Sequence, residues 1–235
     1  MKDRPSSPET FAPDAVTAPQ EQPASIGAAL APGTMVGEYR IERELGRGGM
    51  GVVYGGRQPV IGKRVAIKVL AAQLSHDPAL VRRFVDEARA VNRIGHPNII
   101  DIFAFGQLPD GRQFFVMEYL EGETLADRIE RAPLDPNEAQ RLLLQVTAAL
   151  EAAHRERIVH RDLKPENLWI ARPKHGESFI KVLDFGIAKL IEPAAERGLT
   201  ATGMVIGTPH YMAPEQCLGQ PIDRAADLYA LGVIL

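Results

Sequence analysis

His160-Arg161-Asp162-Leu163-Lys164-Pro165-Glu166-Asn167, followed downstream by Asp184-Phe185-Gly186, is the stretch on which the reading of this chain turns. Three Asp/Asn side chains and a lysine fall together there, with one histidine and no cysteine close by. Hard oxygen donors of that kind suit magnesium, whereas zinc calls for His and Cys. Asp162 is placed to accept a proton, Lys164 to neutralise a moving phosphoryl group, and Asn167 with Asp184 to hold a metal. A merely solvated polar loop gives no reason for this density of matched groups.

Upstream, Gly46-Arg47-Gly48-Gly49-Met50-Gly51 fits G-x-G-x-x-G. Dinucleotide-binding folds use the same string, but there it opens a helix and is followed about 20 residues on by an acid. Here β-branched Val52-Val53 follow, and Leu70-Ala71 stand at the offset where the acid belongs. The glycines therefore sit in a strand-turn-strand, where a missing Cβ lets backbone N–H groups approach phosphates. An ordinary glycine-rich hairpin fits the motif alone equally well. Lys68 lies inside the apolar run Val65–Leu70, where it needs an anion to offset its desolvation. Glu87 shares a helical stripe with residues 80, 84 and 91, so a Lys68–Glu87 pair is expected, the alternative being two unrelated surface groups.

Around these motifs the pattern predicts strands over 39–45, 52–54 and 65–70, a helix over 78–94, and two strands, 99–105 and 114–119, flanking the turn Pro109-Asp110-Gly111. Past Glu121-Gly122 the chain reads as helical. Asp135-Pro136-Asn137-Glu138 carries a cap, a first-turn proline and a glutamate where a capping box wants it, opening a helix towards His154. The expected fold is α+β and two-lobed: a five-stranded antiparallel sheet with one helix over 34–119, then a mainly helical lobe over 120–235. Residues 1–33 carry prolines at 5, 8, 13, 19, 23 and 32 and little apolar surface, and read as a disordered tail.

Composition excludes other classes. With 27 basic and 30 acidic side chains the net charge is −3, which gives no support to nucleic-acid or polybasic membrane binding. The single cysteine, Cys217, rules out an internal disulfide and fits a reducing, cytoplasmic setting, and a merely packed side chain is its expected role. No segment approaches the ~20 apolar residues of a membrane helix.

Taken together, G-R-G-G-M-G-V-V, V-A-I-K, H-R-D-L-K-P-E-N, D-F-G and Ala213-Pro214-Glu215 resemble the protein kinase signature, in order, from about Tyr39 to Leu235. The resemblance implies a bacterial type of eukaryotic-like Ser/Thr kinase using ATP and Mg2+. Gly46, Gly48, Gly49 and Gly51 would cover the phosphates, Val53 and Ala66 roof the adenine, and Met117 act as gatekeeper. Glu118 and Leu120 would offer hinge backbone groups. Lys68 would contact the phosphates and pair with Glu87, Asp162 would receive the hydroxyl proton beside Lys164, and Asn167 and Asp184 would bind magnesium. Gly207–Glu215 resembles a peptide-docking segment, with Thr208 bonded to Asp162 and Lys164, and Lys164 is the Ser/Thr-type choice. Arg161 resembles the arginine of kinases ordered by phosphate, so autophosphorylation at Thr200, Thr202 or both is expected, with self-association as a route for its occurring in trans. Asp227 would anchor the backbone of the loop carrying Asp162.

Three departures stand out. Trp169 replaces a medium aliphatic at the adenine floor, and Arg157 occupies a helix-end position where relatives often have Gly. The chain stops in an apolar run resembling the start of a central helix, so exposed apolar faces, poor expression or low activity are expected. A pseudokinase, or a small-molecule phosphotransferase, are the alternatives; the first is opposed by the complete set of polar residues, the second by the docking segment.

Overall fold

The computed structural model describes residues 27–75, 78–185 and 209–235, without the side chains of residues 79, 83, 84, 87 and 209. Strands β1 (Met35–Val36), β2 (Tyr39–Gly48), β3 (Gly51–Arg57) and β4 (Arg64–Leu70) precede helices α1 (Ala72–Ser75) and α2 (Pro78–Ile94). Strands β5 (Ile102–Gln107) and β6 (Gln113–Glu118) complete an antiparallel sheet of order β1-β2-β3-β4-β6-β5. It has six strands where five are expected. The extra one is the two-residue β1, too short to leave a periodic signal, which pairs Met35 with Arg40 and Val36 with Tyr39.

The register assigns each face of this sheet. Val53 pairs with Lys68 and Lys68 with Phe115, while Ala66 pairs with Met117. Directly paired residues point the same way, so Val53, Ala66, Lys68, Phe115 and Met117 share one face. The opposite face carries Val52, Tyr54, Val65, Ile67, Val69, Phe114 and Val116, which bury one another as a core. Leu30 packs against that core, and its N–H donates to the buried Tyr54 hydroxyl at 3.1 Å. Gly33 N–H donates to the Ile41 carbonyl at 2.8 Å. Residues 27–33, assigned to the tail on composition, are thus tied to the sheet, because one leucine and two backbone bonds suffice where a groove already exists. Residues 1–26 lie outside the described residues.

The lower lobe is built from β7 (Gly122–Thr124), α3 (Leu125–Arg131), α4 (Pro136–Arg155), β8 (Leu168–Ala171), β9 (Phe179–Val182), α5 (Pro214–Cys217) and α6 (Ala225–Ile234). A three-stranded sheet, β7-β8-β9, therefore stands inside the lobe read as helical. Leu168-Trp169-Ile170-Ala171 is a short unbroken apolar run, which periodicity cannot assign to strand or helix. The strand expected over 99–105 starts at Ile102, because Ile100 N–H donates to the Val182 carbonyl and Val182 N–H to the Asn98 carbonyl. Those bonds tie the α2–β5 connection to the lower lobe.

Capping differs in one respect from expectation. Asp135 accepts from Asn137 N–H (2.9 Å) and Glu138 N–H (3.3 Å), with Pro136 opening α4. Glu138 instead pairs with Arg128 at 3.0 Å. The reciprocal box forms at α3, where Thr124 and Asp127 bond each other's backbone. At the far end Arg157, at the helix-end position where glycine is common among relatives, sits at φ 60°, in the left-handed region. The α4 stripe Leu142, Val146, Ala149, Leu150 and Ala153 is buried against β9 and α6. Leu144 on α4, and Leu228, Tyr229 and Val233 on α6, remain exposed. Cys217, expected to be packed, is exposed.

Candidate active site

Between the two lobes lies a cavity of about 560 Å³. Its upper wall is the sheet face set by register, with Val53, Ala66, Lys68 and Met117; the glycine-rich turn closes it in front. Its floor comes from Trp169, Leu183, Lys164 and Glu166, and the connection between lobes contributes Glu118, Tyr119 and Leu120. Of the residues expected from sequence, all four glycines, Val53, Ala66, Lys68, Met117, Glu118, Leu120, Lys164 and Trp169 border this space.

The glycines serve two ends. A Cβ added at Gly46, Gly48 or Gly49 would meet nothing within 4 Å, so these positions leave an open cradle beneath the turn. Gly51 is different: at φ +146° an added Cβ would drive into the Val69 carbonyl, so close strand packing, and not ligand access, requires glycine there.

Lys68 is only 7 % exposed, and its Nζ lies 2.7 Å from Asp184 Oδ1. The expected Glu87 partner stands on α2, but its side chain lies outside the described residues, as do Gly186, Thr200, Thr202 and Thr208. Asp162 Oδ2 is 3.3 Å from Lys164 Nζ. Asn167 Nδ2 donates to the Asp162 carbonyl (2.7 Å) and to Asp162 Oδ2 (3.1 Å), which leaves Oδ1 as the polar atom of that amide still on offer. Asp184 at φ 45° and Arg161 at φ 66° are both left-handed, a strained state for these residues and one that clusters at functional sites.

The loop before Asp162 is pinned from below. Asp227, 1 % exposed on α6, accepts from His160 N–H and Arg161 N–H, both at 2.8 Å, and from His154 Nε2 at 2.7 Å. His160 is fully buried; its Nε2 donates to the Leu183 carbonyl at 2.9 Å, while Nδ1 accepts from Asp162 N–H at 3.3 Å. Burial holds its pKa below the ordinary imidazole value, and a second ring proton would face the Asp162 N–H. The ring is neutral, with the proton on Nε2.

Some site residues escaped the sequence reading. Leu45, Ile100, Tyr119, Thr124, Glu166 and Leu183 also line the cavity. Lys181, 8 % exposed, places Nζ 2.5 Å from Glu118 Oε1 and 3.1 Å from the Ile99 carbonyl, bridging the lobes at the connection. The signal was available: Lys181 interrupts Phe179-Ile180-Lys181-Val182-Leu183 just as Lys68 interrupts its own apolar run. Glu118 N–H donates to the Asp101 carbonyl at 3.0 Å, so its carbonyl is what it can offer to a ligand.

Residues 39–235 match the family model described as protein kinase domain. The chain belongs to the protein kinase family. This kinase domain is 52 % identical over 202 residues to serine/threonine-protein kinase Pkn1 of Myxococcus xanthus, covering 86 % of the chain and 29 % of that protein. It is 40 % identical over 200 residues to serine/threonine-protein kinase PrkC of Bacillus subtilis, covering 85 % and 30 %. The chain thus spans less than a third of the length of these two relatives. Among solved structures, the PknI kinase domain of Mycobacterium tuberculosis superposes with a TM-score of 0.68 at 30 % identity, covering 88 % of this chain and 76 % of that one. The expected two-lobed α+β fold is thereby established. No helix among the described residues is long and apolar enough to cross a membrane.

Proposed function

We propose that this kinase domain transfers the γ-phosphoryl group of ATP to Ser or Thr hydroxyls of proteins. The observation that carries the reading is a pair of polar contact sets beside the cavity: Lys68 on Asp184, and Asp162 held by both Lys164 and Asn167. Leu183 N–H on the Asn167 backbone carbonyl ties the segment before Asp184 to the second set, and Lys68 and Lys164 themselves border the cavity. The cavity fits an adenine nucleotide: apolar walls at Val53, Ala66 and Met117 suit the base, and the open glycine cradle suits its phosphates. The donor set also fits Mg2+. The Asp184 carboxylate and the side-chain Oδ1 of Asn167 are the hard oxygen donors that would hold it, with phosphate and water supplying the remaining ligands. When bound, the ion supplies charge neutralisation to the phosphates.

The chain's own groups do the rest. Asp162 orients the acceptor hydroxyl and takes its proton as the new O–P bond forms and the bond to the ADP leaving group breaks. Lys164 offsets the charge moving with the phosphoryl group, and Lys68 holds the phosphates still. Positioning and electrostatics of this kind carry most of phosphoryl-transfer catalysis. Thr208 as a docking contact, and autophosphorylation at Thr200 or Thr202 read out through Arg161, complete the proposal, with self-association bringing two domains together in a cytoplasmic setting. The test is transfer of labelled phosphate from ATP to a generic Ser/Thr protein. The wild type labels it, Asp162→Asn lowers labelling by two orders of magnitude or more, and peptide mapping finds label at Thr200 or Thr202. Equal labelling by the two proteins contradicts the assignment.

A further inference from the structure

Asp162 reaches its place through a peptide bond that is held on both sides. The Arg161–Asp162 peptide presents its N–H, at Asp162, to His160 Nδ1 at 3.3 Å. Its carbonyl, on Arg161, accepts a hydrogen bond of 2.7 Å from Gln216 Nε2 on α5. Arg161 itself sits at φ 66°, and its own N–H is taken by Asp227 Oδ1. A residue held left-handed persists only where its surroundings over-determine it, and three separate elements do so here: α6 through Asp227, the loop through His160, and α5 through Gln216.

The Gln216 amide is used at both ends. Its Oε1 accepts from Ala213 N–H at 3.0 Å, at the start of α5. A carbonyl can only accept and a backbone N–H can only donate, so the two partners admit one orientation of the amide. Glu and Met, which match Gln in length, each lack part of this function: Glu has no donor, and Met has neither group.

We propose that Gln216 is a positioning residue, tying the peptide that carries Asp162 to the Ala213–Gln216 segment beside which the protein substrate docks. This rests on the kinase reading above. The bridge sets the attitude of Asp162 relative to the acceptor hydroxyl and leaves the nucleotide cavity untouched, since Gln216 does not border it.

The test uses the intact chain with Gln216→Glu and Gln216→Met, measuring kcat, KM for ATP, the Kd of Mg-ATP by calorimetry, and Tm. Gln216→Glu keeps the acceptor for Ala213 N–H but sets an oxygen against the Arg161 carbonyl. Its kcat is expected to fall about tenfold, within the about 10²-fold that a 1 Å misplacement costs. Its Kd for Mg-ATP stays within twofold of wild type and its Tm is retained. Gln216→Met, lacking both bonds, falls at least as far in kcat with the same unchanged Kd. If both variants keep kcat within twofold, the inference is overturned. It is equally overturned if kcat falls only in step with Mg-ATP affinity and Tm, which marks a structural role. Absence of transfer by the wild type overturns the kinase reading and this inference together, whereas undiminished variants beside an active wild type overturn this inference alone.

Discussion

Replacing Asp227 by alanine removes the acceptor for two backbone N–H groups, the buried one of His160 and the partly buried one of Arg161, and for the His154 imidazole. At 1 % exposure no water stands ready to replace it. Each stranded backbone donor costs about 1–3 kcal/mol, so the two together cost about 2–6 kcal/mol before the loss at His154 is counted. Against the ~5–15 kcal/mol by which a domain is stable, that is a large fraction. Asp227→Asn keeps one acceptor oxygen and turns an amide NH2 towards the other donor, so it too destabilises, by roughly 1.5–3 kcal/mol for the charged bond it forfeits. Urea unfolding followed by circular dichroism measures both, with an unchanged m-value confirming that the same surface is exposed. The exposed Asp223, which accepts from Ala225 N–H, supplies the control, and Asp223→Ala is expected to lose only ~1 kcal/mol, the scale of a helix-start cap. An Asp227→Ala protein within about 1 kcal/mol of wild type at constant m would refute the idea that this carboxylate holds the loop.

Further outcomes follow from the same contacts. Lys181→Met leaves Glu118 with the Asp101 N–H but no cation, and since the pair is largely but not wholly buried the loss is expected near the lower end of ~3–5 kcal/mol, with Lys181→Met/Glu118→Leu recovering much of it in the same unfolding assay. Gly51→Ala lowers Tm by many degrees because its backbone is left-handed and faces the Val69 carbonyl; Gly48→Ala, with open space around it, keeps Tm, and its effect is confined to nucleotide affinity measured by calorimetry. His160 has its pKa lowered by burial, so the unfolded chain takes up a proton near pH ~6.5 that the folded one refuses. Its stabilising contribution is complete above that pH and declines as pH falls towards the folded pKa, by up to about 1.4 kcal/mol per unit. His96, lowered by burial and by the charge of Lys181, acts in the same direction. Unfolding free energies measured from pH 7.5 to 5.5 are expected to fall, and a flat profile counts against a buried neutral imidazole.

What could be read from sequence depended on how each feature is encoded. Helix α2 was legible to the residue, and α4 to its start, because both carry a long apolar stripe, and α4 a cap followed by proline. The upper sheet was legible in its five longer strands, since β-branched runs separated by glycine and proline leave few alternatives. The β7-β8-β9 sheet was not, because four-residue strands such as Leu168–Ala171 have no period to detect. Lys68 was found as a charge inside an apolar run; Lys181 carried the same mark but no motif drew attention to it. Glu138 and Leu30 show the opposite limit. A capping-box spacing does not say whether an arginine ten positions upstream competes for the glutamate, and composition does not say that one leucine finds a groove. Gln216 left no local trace, since its partner Arg161 lies 55 positions away and only the fold brings them together.

The central claim is that Lys68, Asp184 and Asn167 form one receptor for a metal-bound triphosphate. Isothermal calorimetry of the chain with ATP, in the presence of Mg2+ and then of EDTA, tests it most directly. Saturable binding that weakens at least tenfold on removing Mg2+, and in the Asp184→Asn variant loses that dependence, is the predicted result. No heat of binding from a folded chain, or affinity indifferent to both Mg2+ and Asp184, would contradict it.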